Sequence, residues 1–235
     1  MTHVPDPAVV LPPWYAAAFA AAPMPGEREP HVWAYRAWIG EWKRAPVPRP
    51  VGDAPHFNDP EPGADAAGLT GPLLALEGDV APLLSALASP RPLAGAERAA
   101  LARFVALLAV RNAPHAAELS AAESRAGLES LERTVADMGW VLWTASPGVH
   151  FVTGSSPFHA AFPRAEASRT AAFDLADPSV ELTMPLAPGL ALHATWRRTG
   201  ELWRRAREEV LLELNGRTCA SSRRFLLAPV PQVPG

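Results

Sequence analysis

From residue 72 onward, hydrophobic positions recur at spacings of three and four, the period of a helix with one buried face. Leu73, Leu76, Val80, Leu83, Leu84 and Leu87 form the first stripe, and Pro82 marks a break or kink. After the separator PRPLAG, Leu101, Phe104, Val105 and Leu108 mark one face of a second helix. A third is predicted over 116–138, with Leu119, Leu128, Leu131, Val135 and Met138 on a shared stripe and Gly139 placed to stop it. The pattern then changes to short runs bounded by Gly, Pro, Ser or Asp. WVLWTA, VHFVTG, TAAFDL, VELTMPL and LALHAT read as strands. A final helix is predicted from residue 200 to about 215, with Leu202, Ala206, Val210 and Leu214 on its inner side.

Upstream the pattern is irregular. Residues 1–46 mix Trp14, Trp33, Trp38 and Trp42 with Pro12, Pro13 and Pro46, a density of proline that forbids long helices. HVWAYRAWI alternates loosely enough to be a strand. Residues 47–71 hold almost no large apolar side chain except Phe57 and read as a long loop. Segregated helices and strands predict an α+β fold, with a helical middle section, a small mainly antiparallel sheet and a closing C-terminal helix. The expected organisation is a single domain over 1–235: a Pro/Trp-rich opening to 46, a loop over 47–71, helices over 72–138, strands over 140–195, and a closing helix and terminal segment over 200–227.

Composition narrows the function classes more than it names one. The chain has 235 residues, 49% of them hydrophobic, enough for one sizeable core. It holds 46 Ala, 27 Pro and 16 Gly, and Lys43 is the one lysine among 21 basic residues. All of the favoured residues have GC-rich codons, so the skew reads first as genome composition. A net charge of -3 excludes a global field toward nucleic acid or anionic lipid, although a local basic patch is compatible with it. The lone Cys219 excludes an intramolecular disulfide and a cysteine zinc site and points to a reducing compartment. No run reaches the roughly 18 apolar residues of a membrane span, and no basic n-region opens the chain. A cytoplasmic protein without membrane association is the expectation.

Strong catalytic motifs are missing: there is no phosphate loop, no G-x-G-x-x-G, no H-E-x-x-H and no G-x-S-x-G. His3, His31, His56, His115, His150, His159 and His193 include no pair four apart, so they read as ordinary surface or half-buried side chains. No metal and no cofactor is expected. HFVTGSSPFH, over 150–159, places Thr153, Ser155 and Ser156 between two histidines. It reads either as a turn carrying a hydroxyl nucleophile or as a Ser-Pro turn bonding its own backbone, and the second is favoured because no base adjoins it. Arg197, Arg198, Arg204, Arg205, Arg207, Arg217, Arg223 and Arg224 cluster near Trp196 and Trp203. They suggest a nucleic-acid or protein partner. The favoured reading, however, is a solvated helix face on which Arg204–Glu208 and Arg205–Glu209 pair at i, i+4.

The order of these pieces resembles a bacterial family known as domain of unknown function 4238. VVLPPWYAAAF places Pro12, Tyr15 and Phe19 on its opening motif, and HVWAYRA fits its first strand. FVALLAVRNAP places Phe104, Ala106, Leu107, Arg111 and Pro114 on its helix motif. WVLW and FVTGSSP place Trp140, Phe151, Thr153 and Pro157 on the next two; MPLAP and EVLLELN, ending on Asn215, complete the set. The departures fall on polar positions: Val9 stands for the opening histidine, Leu108 for the helix glutamine, and Ser155 and Ser156 for an Asp-Asn pair. The family's function is not established, so the resemblance implies a fold and positions rather than a reaction. The expectation is a non-catalytic binding or interaction protein with a degenerate site. The alternative is a hydrolase or nuclease-like enzyme on a phosphate-bearing or nucleic-acid substrate. In it Arg111 holds the anion beside Thr153, Ser155 and Asn215. A third reading has the opening tryptophans meeting a partner.

Overall fold

The computed structural model describes residues 11–23, 26, 28–36, 40–47, 68–111, 121–161, 177–222 and 224–231. A short helix α1 (Pro13–Ala17) begins with proline at its first position, where no intrahelical N–H is required. The hairpin of β1 (His31–Arg36) and β2 (Glu41–Pro46) follows. Then come α2 (Thr70–Ala75), α3 (Glu77–Ala86), α4 (Gly95–Arg111) and α5 (Ala121–Asp137). The remaining elements are β3 (Gly139–Thr144), β4 (Thr153–Gly154), β5 (His159–Ala161), β6 (Glu181–Ala187), β7 (Leu190–Thr195), β8 (Glu201–Arg205), α6 (Glu208–Ser221) and β9 (Phe225–Ala228). The fold is α+β, as expected, with two sheets in place of one. β2-β1-β9-β4 is wholly antiparallel, whereas β5-β6-β7-β3-β8 is antiparallel except for the parallel pairing of β8 with β3.

α4 is the axis of the main core. From Leu101 to Arg111 every residue but Arg103 is buried, so this helix is covered on all sides rather than along one stripe. Its start is fixed by Glu97, whose carboxylate accepts the Ala94 amide at 2.8 Å and both ends of the Arg91 guanidinium at 2.6 and 2.8 Å. Arg98 lies over the Trp140 ring at 4.0 Å and donates to the carbonyls of Ala136 and Met138, tying α4 to the end of α5.

The five-stranded sheet is buried on both faces. Leu182, Met184, Leu192, Ala194, Trp140 and Leu142 face the main core with α4. Their neighbours in sequence point the other way, because strand side chains alternate. There Ala191, Trp143 and Phe151 meet Leu211 and Leu214 of α6 in a second, smaller cluster.

Several expectations are corrected. The break in the first helical stripe falls at Leu76, between α2 and α3, and Pro82 lies inside α3. The one ladder bond Pro82 forfeits is that to Gly78, which is exposed, so its carbonyl is not buried unpaired. Gly139 is not a left-handed helix stop: it opens β3, and a Cβ there would lie 2.4 Å from the Arg198 carbonyl oxygen. The closing helix starts at Glu208 rather than 200. Leu202, Ala206, Val210 and Leu214 mimic a helical stripe, but Leu202 and Trp203 serve opposite faces of β8, which only a strand allows. β2, β5, β8 and β9 have no counterpart among the predicted strands. The strand TAAFDL, residues 116–120 of the third helix, His3, Val9, Trp38, His56, His115 and Arg223 lie outside the described residues, as does most of the 47–71 loop.

Candidate functional site

The 150–157 turn is built around small side chains. A Cβ on Gly154 would come within 2.3 Å of Ser222 Oγ and 2.7 Å of the Phe225 carbonyl, so only glycine lets β4 lie against β9 and the end of α6. Thr153 is buried, and its hydroxyl is 2.9 Å from that of Tyr15. The Tyr15 proton goes to the Pro185 carbonyl at 2.5 Å, so Thr153 is the donor of the pair and its own proton is spent. Ser155 Oγ accepts the Arg224 backbone amide at 3.1 Å. The Ser156 carbonyl accepts the hydroxyls of Ser221 and Ser222, at 2.8 and 3.1 Å. Asn215, on α6, takes the Val152 amide on Oδ1 and gives Nδ2 to the His150 carbonyl, each at 3.0 Å. Its side-chain amide therefore pairs with this extended backbone as a neighbouring strand would.

Thr153, Ser155 and Asn215 do come together, but as a clasp between β4, β9 and α6. The adjoining seam, lined by Phe151, Thr183, Pro185, Leu214, Asn215 and Thr218, is too tight for a water molecule. The two hydroxyls have Tyr15 and the Arg224 amide as their partners, and Arg111 is on a different element, α4. It is buried in the last turn of α4, where the helix's terminal carbonyls favour a cation. Tyr15 is the hub beneath the clasp. Its ring meets those of Phe19 and Phe104 edge-on at 5.5 and 5.2 Å, and burial pushes its phenol far above the usual range.

A second polar cluster, which spacing gave no hint of, lies where α6 crosses the same sheet. Register puts His159, Thr183 and His193 in one row across β5, β6 and β7, with Glu181 one pair further along. The Glu181 carboxylate gathers His193 Nε2 at 3.4 Å, Arg217 Nη2 at 3.4 Å and Arg197 Nη1 at 3.5 Å. Arg217 also pairs with Glu213, one turn before it on α6. Side-chain exposures of 18% for Glu181, 19% for Arg217 and 20% for His193 make this a sheltered ionic joint. Burial holds both histidines below their ordinary pKa. Arg217 pushes the same way, and at His193 Glu181 opposes it. Burial alone does the same to His150.

The arginine cluster is dispersed by the fold. Arg197 and Arg217 enter the ionic joint, and Trp196 and Trp203 pack against the main core rather than standing free for stacking. The expected pairs Arg204–Glu208 and Arg205–Glu209 do not form, because Arg204 and Arg205 belong to a strand and alternate across it. Arg204, Arg205 and Arg207 are exposed, and none lies within ion-pair distance of a carboxylate among the described residues. They flank an edge strand, β8.

Family models, curated proteins and solved structures yield no match to this chain. Among the described residues no group of three His, Cys, Asp or Glu side chains is placed to hold a metal, and no helix is long and apolar enough to cross a membrane.

Proposed function

We propose that this protein works by binding, without catalysis at the 150–157 turn, and that its partner is polyanionic. The observation that carries the reading is the trio Arg204, Arg205 and Arg207, exposed within four residues and without a carboxylate at ion-pair distance among the described residues, on a chain whose net charge is -3. Glu208 and Glu209 sit in the first turn of α6, where they complement the positive end of that helix. Against catalysis at the turn, the Ser155 hydroxyl and the Asn215 amide serve the backbone and the Thr153 proton goes to Tyr15, whereas a nucleophile needs a neighbouring base.

The resemblance to the family of unknown function 4238 belongs to the same proposal. It draws support from the meeting of its motifs in space: Tyr15 of the first touches Phe104 of the third and Thr153 of the fifth. A bacterial, cytoplasmic protein is the setting we infer, from the family resemblance and the single Cys219.

The experiment is a salt series of binding to polyglutamate. Native protein should bind at low ionic strength and weaken steeply as salt rises. The double variant Arg204→Glu, Arg205→Glu should not bind. Binding by the variant equal to that of native protein refutes the assignment. The alternative, hydrolysis of a phosphate-bearing substrate, is favoured by one observation: His193 is held neutral beside Glu181 and Arg217, a base next to a carboxylate and an anion holder. Phosphodiester turnover that disappears in His193→Gln would establish it.

A further inference from the structure

β8 is the last strand of its sheet, and the phase of its pairing is fixed at both ends. The Trp140 amide donates to the Gly200 carbonyl and the Ala206 amide to the Thr144 carbonyl, each at 2.8 Å. In a parallel ladder alternate residues of a strand bond to a given neighbour. Gly200, Leu202, Arg204 and Ala206 therefore face β3, while the peptide N–H and C=O groups of Glu201, Trp203 and Arg205 face outward. No hydrogen bond takes up those outward groups among the described residues. An open edge of this kind is a template for one more strand.

The side chains along the edge say which strand fits. Arg204 and Arg205 lie on opposite faces, so a strand laid alongside meets a positive charge on each of two consecutive residues. Leu202 and Trp203, half-buried just before them, offer apolar ground on both faces. A second copy of β8 is a poorer occupant: parallel self-pairing sets the arginines against their own kind, and antiparallel pairing about Trp203 sets Arg205 opposite Glu201 but leaves Arg204 opposite Leu202, one of the two charges unmet. Nucleic acid would satisfy the charges and leave the peptide groups unmet.

We propose that the free edge of β8 receives an extended, acidic segment of a partner protein as a sixth strand, two neighbouring carboxylates pairing with Arg204 and Arg205 beyond a pair of apolar residues. This rests on the polyanion reading above and narrows it to a protein partner and a mode of contact.

Fluorescence anisotropy with the full chain tests it, using blocked peptides in which two glutamates follow two valines, in both chain directions. Two isomers of the better binder carry N-methyl groups on alternate amides. One set falls on the edge toward β8 and the other on the edge away from it. The expected result is that one isomer binds like the parent and the other about tenfold or more weaker, the loss of one or more hydrogen bonds. Arg205→Pro should also weaken binding beyond Arg205→Ala, since both remove the charge and only proline removes the outward N–H. Equal binding by the two isomers, at any level, overturns strand addition while leaving the polyanion reading intact. So does tighter binding of a single-stranded thymidine oligonucleotide that depends on the same arginines. Failure of the peptides, polyglutamate and the oligonucleotide alike at low salt overturns both.

Discussion

Tyr15 and Thr153, 138 residues apart, share a buried hydrogen bond of 2.9 Å, and the same tyrosine hydroxyl reaches the Pro185 carbonyl. One side chain near the start of the described chain thus joins the clasp at β4 to β6, an interior strand of the other sheet. Tyr15→Phe strands a buried carbonyl and a buried hydroxyl and should cost about 1–3 kcal/mol in urea unfolding. Thr153→Val should cost less, and the double variant should fall short of the sum, because both remove one shared bond. Strict additivity would dissolve the coupling.

The two serines of the turn are not equivalent. Ser155→Ala deprives a sheltered backbone amide, that of Arg224, of its acceptor and should cost about 1–2 kcal/mol. Ser156 engages through its backbone, so Ser156→Ala should stay within about 0.5 kcal/mol. Arg111→Ala, which removes a buried cation and its stem from the last turn of α4, should exceed both. Thermal melts of the three rank them, and a serine variant falling below Arg111→Ala would contradict the placement.

Gly154→Ala should destabilise by about 1–3 kcal/mol or prevent folding, since the new methyl meets backbone as well as a serine side chain. Gly189→Ala is the matched control: no atom lies within 4 Å of its Cβ position, and its melting temperature should hold. Equal behaviour would mean that the clasp is looser than described.

Acid should weaken the protein through the ionic joint. His159 and His193 sit below their ordinary 6.5 in the folded state, so the unfolded chain takes up protons first. The stability they contribute is therefore complete above about pH 6.5 and is lost as pH falls through their lowered folded values. Melting temperatures should decline from pH 7 downward, and His193→Gln should flatten part of that slope. In Glu181→Gln, the His193 resonance followed by NMR should titrate at still lower pH, because the carboxylate that favours its charge is gone. An unchanged midpoint would separate His193 from Glu181.

What could be read from the chain follows a physical line. Helices α4 and α5 and strands β3, β6 and β7 carry runs long enough for their own period to show, and all were predicted. β5 and β9 are three and four residues long, and β8 is five, too short for alternation to outweigh a chance helical stripe such as Leu202–Ala206–Val210–Leu214. Thr153, Ser155 and Asn215 meet at the clasp because β4 and the turn around it lie against α6 and β9. Their role was legible only from Ser222, Arg224 and Tyr15, which no spacing connects to them. The joint of Glu181, His193 and Arg217 depends wholly on strand register and on where α6 lies.

Between β7 and β8 the chain has five residues, 196–200, the length of an ordinary hairpin loop. Yet the two strands never touch: β3, made more than fifty residues earlier, lies between them, and the loop steps over it at Gly139. If β7 and β8 close as a local hairpin before β3 arrives, β3 must part them to complete the sheet. Refolding should divide into a fast population, in which β3 arrives first, and a slow one that has to unzip β7 from β8. Gly139→Ala, which obstructs the crossing, should enlarge the slow one. At high concentration the waiting slot is open to β3 of another molecule, a route to exchanged dimers that begins with a strand out of turn.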